Sequence, residues 1–224
     1  MLLVSATTLE IQPTLDWLNA NAEVVSPGNY HYQDMAIEIL ITGMGMTAAA
    51  LSVGRRLADP KTFPYFALQA GIGGALDRSL QLTDLRWIGS DFLADQGAEQ
   101  ADGTLLTITE MGYPPGPPYD KQGILHVPDL DELPLDLPVC QGYTVNKILG
   151  SEISIDRMRK KFPAAQISSM EGAAFLLACL EAEVRPLHLR SISNYVEVRD
   201  TGKWDIKGAI KTLNEALLKI IQSA

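Results

Sequence analysis

The sequence predicts an α/β protein. Short apolar runs of strand length alternate with longer stretches whose apolar residues recur at helical spacing. Glycine-rich segments mark the junctions between them. The chain has 224 residues, 46% of them apolar, enough for one domain with an ample core spanning 1–224 and too apolar for disorder.

Met1 to Ser5 reads as the first strand. A helix follows with Ile11, Leu15 and Leu18 on one face, and Pro13 is expected in its first turn. Glu10 then stands at the strand-to-helix junction. It reads either as an ordinary N-terminal helix acid or as a functional group at the carboxyl edge of a strand. Tyr30 to Ile41 reads as a hairpin. Thr42-Gly43-Met44-Gly45-Met46-Thr47-Ala48 opens the next helix in a G-x-G-x-x-A pattern, which after a strand can bind a dinucleotide. That alternative needs an acid at the end of the following strand to hold ribose. The following strand, Tyr65 to Gln69, leads instead into Ala70-Gly71-Ile72-Gly73-Gly74. This segment reads as a glycine turn whose N–H groups can face a ligand.

Leu85 to Ile88 is expected as a strand and residues 94–104 as a loop. The prolines of 111–119 exclude regular structure, leaving a surface loop, a flap or an oligomer contact; 129–138 is also irregular. Pro138 to Tyr143 reads as a strand. Ser154 to Phe162 reads as a helix capped by Ser154, with Ile155, Met158 and Phe162 on one face. After a short strand at 165–168, Ser169-Met170-Glu171-Gly172-Ala173-Ala174-Phe175 opens another helix. Ser168 or Ser169 can cap it, and Glu171 falls in the first turn. The small residues after Glu171 admit close approach. Val184 to Ile192 reads as a strand ending in Ser193-Asn194, and a polar loop with Arg199 and Lys203 leads to a helix near 206–221.

Composition narrows the function. A net charge of -9 without a Lys/Arg stripe argues against a nucleic-acid partner. Cys140 and Cys179 lack metal-ligand spacing, and His31, His126 and His188 show no pattern, so no metal or other cofactor is expected. His188, inside a strand, reads as structural. The first residues lack a signal-peptide pattern and no apolar run approaches membrane-spanning length, so a cytoplasmic protein without a membrane partner is expected.

Met170-Glu171-Gly172-Ala173-Ala174, followed by Arg190-Ser191-Ile192-Ser193-Asn194, resembles the signature of the nucleoside phosphorylase and nucleosidase superfamily. The longer string Ser193-Asn194-Tyr195-Val196 with Arg199-Asp200 and Lys203-Trp204 is similar to its futalosine hydrolase branch, bacterial nucleosidases of menaquinone synthesis. The resemblance implies a central mixed sheet flanked by helices, of nucleoside phosphorylase type. It implies hydrolysis of the N-glycosidic bond of futalosine, with release of hypoxanthine, in a homo-oligomer that binds a small nucleoside. Glu10 would activate water, and Glu171 would hold the ribose hydroxyls and offset the cationic sugar, with Met170 packed on the ring. Asn194 would read the base, with Ser193 beside it. Gly43, Gly71, Ile72 and Gly73 would line the sugar end.

Asn194 departs from relatives that act on 6-amino purines, which carry Asp there. An amide can donate to a 6-oxo group but cannot act as a proton-donating acid. The residues leave two further readings open, a 6-oxopurine nucleoside phosphorylase and a 5′-modified adenosine nucleosidase. The apolar Ile72 at the centre of the glycine segment, with no basic neighbour, favours water over phosphate as nucleophile. Arg199 and Lys203 are two candidates for a carboxylate beyond the sugar.

Overall fold

The computed structural model describes residues 1–59 and 62–223. In chain order the regular elements are β1 (Leu2–Ser5), α1 (Thr8–Asn21), β2 (Glu23–Ser26), β3 (Asn29–Tyr32), β4 (Met35–Ile41), α2 (Met46–Leu57), β5 (Phe66–Ala75), β6 (Leu85–Phe92), β7 (Gly97–Glu99), β8 (Leu105–Thr107), β9 (Ile124–His126), β10 (Val139–Thr144), α3 (Glu152–Lys161), β11 (Ile167–Ser169), α4 (Gly172–Glu181), β12 (Arg185–Tyr195) and α5 (Ile206–Gln222).

They form one α/β domain around a mixed sheet in the order β11-β10-β6-β12-β5-β1-β4-β3-β2, with β9 added to β6. β4, β1, β5 and β12 are mutually parallel. The end strand β11 also pairs with β5, antiparallel, so β5, β12, β6, β10 and β11 close into a ring.

β1 is apolar without alternation because both of its faces are covered. Leu2 and Val4 pack with Val53 of α2 and Phe175 and Leu176 of α4. Leu3 points the other way, to Ile11 of α1 and Leu213 and Leu217 of α5.

Several sequence expectations need correction. The glycine segment is not a turn: β5 runs unbroken through Gly71-Ile72-Gly73-Gly74 to Ala75, because β12 pairs with it along its whole length. β6 and β12 likewise continue through Asp91 and Asn194. α1 starts at Thr8, so Pro13 lies inside the helix rather than in its first turn. Ser151, not Ser154, caps α3: its Oγ accepts the Ser154 N–H at 3.3 Å. The 94–104 loop holds β7, which forms a small hairpin with β8.

Candidate active site

One edge of β5 is divided between two partners. β1 pairs with Ala67 to Gln69 and then ends; β11 pairs with Gly74 and Ala75. Between them, residues 70–73 face no strand on that side, and the carboxylates of Glu10 and Glu171 enter this gap.

Glu10 occupies the place that β1 vacates. Its Oε1 accepts the Ile72 N–H at 3.0 Å, a ladder donor left open by the end of β1. Its Oε2 accepts from Thr7 N (3.1 Å), Thr7 Oγ1 (3.0 Å) and Ser5 Oγ (3.3 Å). A carboxylate offers about four acceptor positions, two per oxygen. Oε2 is therefore full, and the position left for a ligand is on Oε1. The Glu10 backbone is fixed as well. The α1 hydrogen bond expected between the Glu10 carbonyl and Thr14 N–H is interrupted by the amide of Asn214 from α5. Asn214 Nδ2 donates to Glu10 O at 2.8 Å, and Oδ1 accepts from Thr14 N at 3.0 Å and Thr14 Oγ1 at 2.6 Å. Such an insertion beside Pro13 is a recognised way to bend a helix.

Glu171 stands at the N-cap of α4, one position before the first turn expected for it. Its side chain does not cap its own helix; Ser169 Oγ takes the Gly172 N–H at 3.0 Å. Glu171 Oε1 instead accepts the Gly45 N–H at 2.8 Å, across to the head of α2. Gly43 and Gly45 have φ of 83° and 93°, which only glycine adopts cheaply. The G-x-G-x-x-A turn thus aims a backbone donor at a carboxylate. The Gly45 N–H is therefore bound to an acid, whose charge would repel a dinucleotide phosphate at this turn.

Arg190 enters the same gap. It is 2% exposed. Its Nη2 lies 3.8 Å from Glu171 Oε2. A Cβ on Gly71 would overlap Arg190 Nη1 and stand 2.8 Å from Glu10 Oε1, so both groups lie over the same bare stretch of β5. Three of its five N–H groups are committed: Nε to His188 Nε2 (2.7 Å), Nη1 to Ile72 O (3.2 Å), Nη2 to Gln69 Oε1 (3.0 Å).

Further along the ladder, the register of β12 shifts between Ile192 and Asn194, making Ser193 a bulge. Ser193 Oγ lies 3.2 Å from Gly73 O and 2.8 Å from Asn194 Oδ1. Asn194 Nδ2 donates to Tyr195 O at 3.0 Å. That carbonyl can only accept, which fixes the orientation of the amide. One N–H and one oxygen lone pair remain for a ligand. Met170 is half-buried between β11 and α4.

The structure therefore gathers Glu10, Glu171, Gly45, Gly71 and Ile72 around Arg190, and places Gly73, Ser193 and Asn194 next on the same two strands. Gly43 sits in the turn that meets Glu171, its N–H bound to Ala6 O at 3.1 Å. The two basic candidates are occupied: Arg199 lies over the Trp204 ring at 5.2 Å, and Lys203 approaches Asp200 at 3.7 Å. Lys203 also lines a cavity of about 380 Å³ with Arg78, Arg159 and Val196, beyond the end of β12. Sequence reasoning missed Arg190 and Asn214 as parts of the site. For Arg190 a signal existed, since a cation inside an apolar strand must find partners.

The Phosphorylase superfamily profile matches residues 2–224. The futalosine hydrolase of Acidothermus cellulolyticus is 30% identical over 186 residues, 80% of this chain and 72% of that protein. The futalosine hydrolase of Streptomyces coelicolor is 29% identical over 88% of this chain and 84% of that protein. Among solved structures, Helicobacter pylori futalosine hydrolase superposes with a TM-score of 0.77 at 18% identity, covering 100% of this chain and 97% of the other. The 5′-methylthioadenosine/S-adenosylhomocysteine nucleosidase of Neisseria meningitidis gives 0.77 at 17% identity, over 100% and 98%. At such identities these two share the fold. With the profile covering nearly every residue and a relative at 30% identity over most of both chains, the chain belongs to the phosphorylase superfamily and to its futalosine hydrolase family.

Proposed function

We infer that the protein is an N-glycosidase that hydrolyses futalosine in menaquinone synthesis and releases hypoxanthine. The observation that carries this reading is the pair of buried carboxylates, Glu10 and Glu171, converging on the gap in β5 from two distant parts of the chain.

Breaking a purine nucleoside bond builds positive charge on the sugar, so a fixed negative charge beside it lowers the barrier. Glu171 fits that role. Oε1 is pinned by Gly45, which leaves Oε2 to accept from ribose hydroxyls. Glu10 fits the role of base to the attacking water through the open position on Oε1. Asn194 offers its free N–H to the 6-oxo group of hypoxanthine, and a 6-amino group there would meet a donor with a donor. Met170, Ile72 and the bare backbone of Gly71 and Gly73 would line the sugar, with Gly43 at the edge and Ser193 steadying Asn194.

The arrangement favours water over phosphate. Phosphorolysis needs a cation free to hold the anion. Arg190 has three of its five N–H groups on His188, Ile72 and Gln69, and its charge is already balanced by Glu171 at 3.8 Å. Arg56 of α2 is bound by both oxygens of Glu38, at 2.6 and 2.7 Å. Purified protein incubated with futalosine should release hypoxanthine at the same rate with and without phosphate. Strict phosphate dependence would make it a phosphorylase; activity only on methylthioadenosine would make it an adenosine-type nucleosidase.

A homo-oligomer in the cytoplasm is part of the same reading. Among the described residues no helix is long and apolar enough to cross a membrane. A shallow groove lined by Ala50, Gly54, Ala174 and Ala178 runs between α2 and α4, and Leu51 beside it is exposed. Sedimentation velocity at micromolar concentration should show a species heavier than one chain.

A further inference from the structure

Behind Arg190 lie two buried polar groups that no step above uses. His188 of β12 is 1% exposed and Asp91 of β6 is 0% exposed. His188 Nε2 accepts from Arg190 Nε, which requires a neutral ring carrying its proton on Nδ1. Among the described residues, that Nδ1 and Asp91 Oδ2 have no hydrogen-bond partner, and they face each other at 3.9 Å. The gap is too short for an intervening water and about 0.9 Å longer than a usual N–H···O bond of about 3.0 Å. Buried orphan groups are costly, and two that face one another at this distance need only a small contraction to satisfy both.

The other Asp91 oxygen is anchored. Oδ1 accepts from Thr144 Oγ1 at 2.9 Å and from Phe92 N at 2.7 Å. Thr144 Oγ1 in turn accepts the Ala173 N–H, at 2.8 Å, in the first turn of α4. Asp91 therefore reaches Glu171 by two routes. One runs through His188 and Arg190; the other runs through Thr144 to the helix that Glu171 precedes. Gly172, next to Glu171, closes the arrangement. A Cβ there would overlap Asp91 Oδ2, stand 2.5 Å from His188 Cε1 and 2.9 Å from Ser169 Oγ.

We propose that Asp91 and His188 form a buried positioning dyad that fixes the Arg190 guanidinium and, through it, the Glu171 carboxylate at the sugar. Asp91 receives the His188 Nδ1–H, His188 receives the Arg190 Nε–H, and Arg190 presents its Nη2 edge to Glu171. The charged groups facing Asp91 are Arg190 and Glu171, with His188 held neutral. Burial pushes the Asp91 carboxyl up to about 7, against the pull of Thr144, Phe92 N–H and Arg190. Burial, with Arg190 adding to it, holds His188 well below its ordinary value. Protonating either residue would break the chain of donors, so the alignment of Glu171 is sensitive to pH through groups that never touch substrate.

This inference rests on the nucleosidase reading for its kinetic arm, so the first measurement is made without substrate. ¹⁵N-histidine spectra of the free enzyme should show His188 as a neutral Nδ1–H tautomer at pH 8, changing in Asp91→Asn. An Nε2–H tautomer, or an unchanged signal in Asp91→Asn, overturns the dyad whatever the enzyme cleaves. In the kinetic arm His188→Leu removes the acceptor for Arg190, whereas His188→Gln can restore it. His188→Leu should lose about 10- to 100-fold in kcat, the scale expected when a supporting partner is removed, with KM within about threefold. His188→Gln should recover most of that loss. Asp91→Asn should move the limb of the kcat/KM profile that lies near neutral pH. Equal kcat in folded His188→Leu and wild type overturns the proposal. If His188→Leu does not fold, His188→Gln decides with the spectra: near-wild-type kcat supports the proposal, and the loss of activity in a folded His188→Gln overturns it. A wild type inactive on futalosine sinks the substrate assignment and leaves the spectroscopic arm standing.

Discussion

The two halves of the β5–β12 ladder run along the same two strands, yet they do different work. In the first half, Ala67 lies beside Pro186, Leu68 beside Leu187 and Ala70 beside Leu189. Apart from Gln69 beside His188, these pairs bring apolar side chains from both strands, and both faces are covered by helices. In the second half, Gly71 lies beside Arg190 and Gly74 beside Asn194. At these two pairs β5 carries no side chain and β12 supplies a large polar one, which lies over the bare position. The first half stabilises by filling space. The second makes a site by leaving space on one strand for the functional groups of its neighbour.

The largest break of this contrast is chemical. Glu10→Gln keeps the shape and most of the contacts in the gap but removes the proposed base. Turnover of futalosine should fall about 10²- to 10⁴-fold, the usual worth of a positioned proton acceptor. Thermal unfolding run beside the assay should show a folded variant; wild-type turnover would remove Glu10 from the mechanism. The steric break comes next. Gly71→Ala places a methyl group where Arg190 Nη1 lies and 2.8 Å from Glu10 Oε1. A displacement of about 1 Å at such a centre costs about 100-fold in rate, so a loss of that order is expected in kcat. The control lies in the other half. Leu68→Ala, in the fully buried core, should cost about 2–5 kcal/mol of stability by denaturant unfolding, with turnover per folded molecule unchanged. If Leu68→Ala damages turnover as Gly71→Ala does, the two halves are not separable.

Much of the first half was legible in the sequence, because an apolar run between punctuating residues has few other readings. The glycines of 71–74 were misread as a turn for a physical reason. Isolated strand glycines weaken a strand, and the reason to keep them, a polar side chain from a strand more than 100 residues later, has no local signal. Glu10, Glu171 and Asn194 could be named from motifs, and the structure brings the two acids to one gap. The groups that hold them could not be named. Asn214 reaches Glu10 from the far end of the chain, and Asp91 lies beyond the point where the strand was expected to stop. His188 reads as structural; Arg190 on its own strand meets its Nε2, but Asp91 comes to face its Nδ1 only when β6 and β12 lie side by side.

The smallest predicted effect tests the same rule at its outer end. A Cβ on Gly74 would stand 3.1 Å from both Asn194 Nδ2 and Val196 Cγ2, tight contacts but not overlaps. Gly74→Ala should therefore leave the carboxylates alone and tilt the amide. An off-rotamer shift of that kind costs roughly 0.5–1.5 kcal/mol, or about tenfold at most in kcat/KM. The loss should fall on recognition of the base. Turnover of futalosine should drop while the ratio of 6-oxo to 6-amino substrate use narrows, because the free Nδ2–H no longer points where the 6-oxo group sits. Competition between inosine and adenosine, measured for wild type and Gly74→Ala, reads that ratio directly. An unchanged ratio with reduced turnover would mean that Asn194 supports the backbone at the bulge and that the base is selected elsewhere.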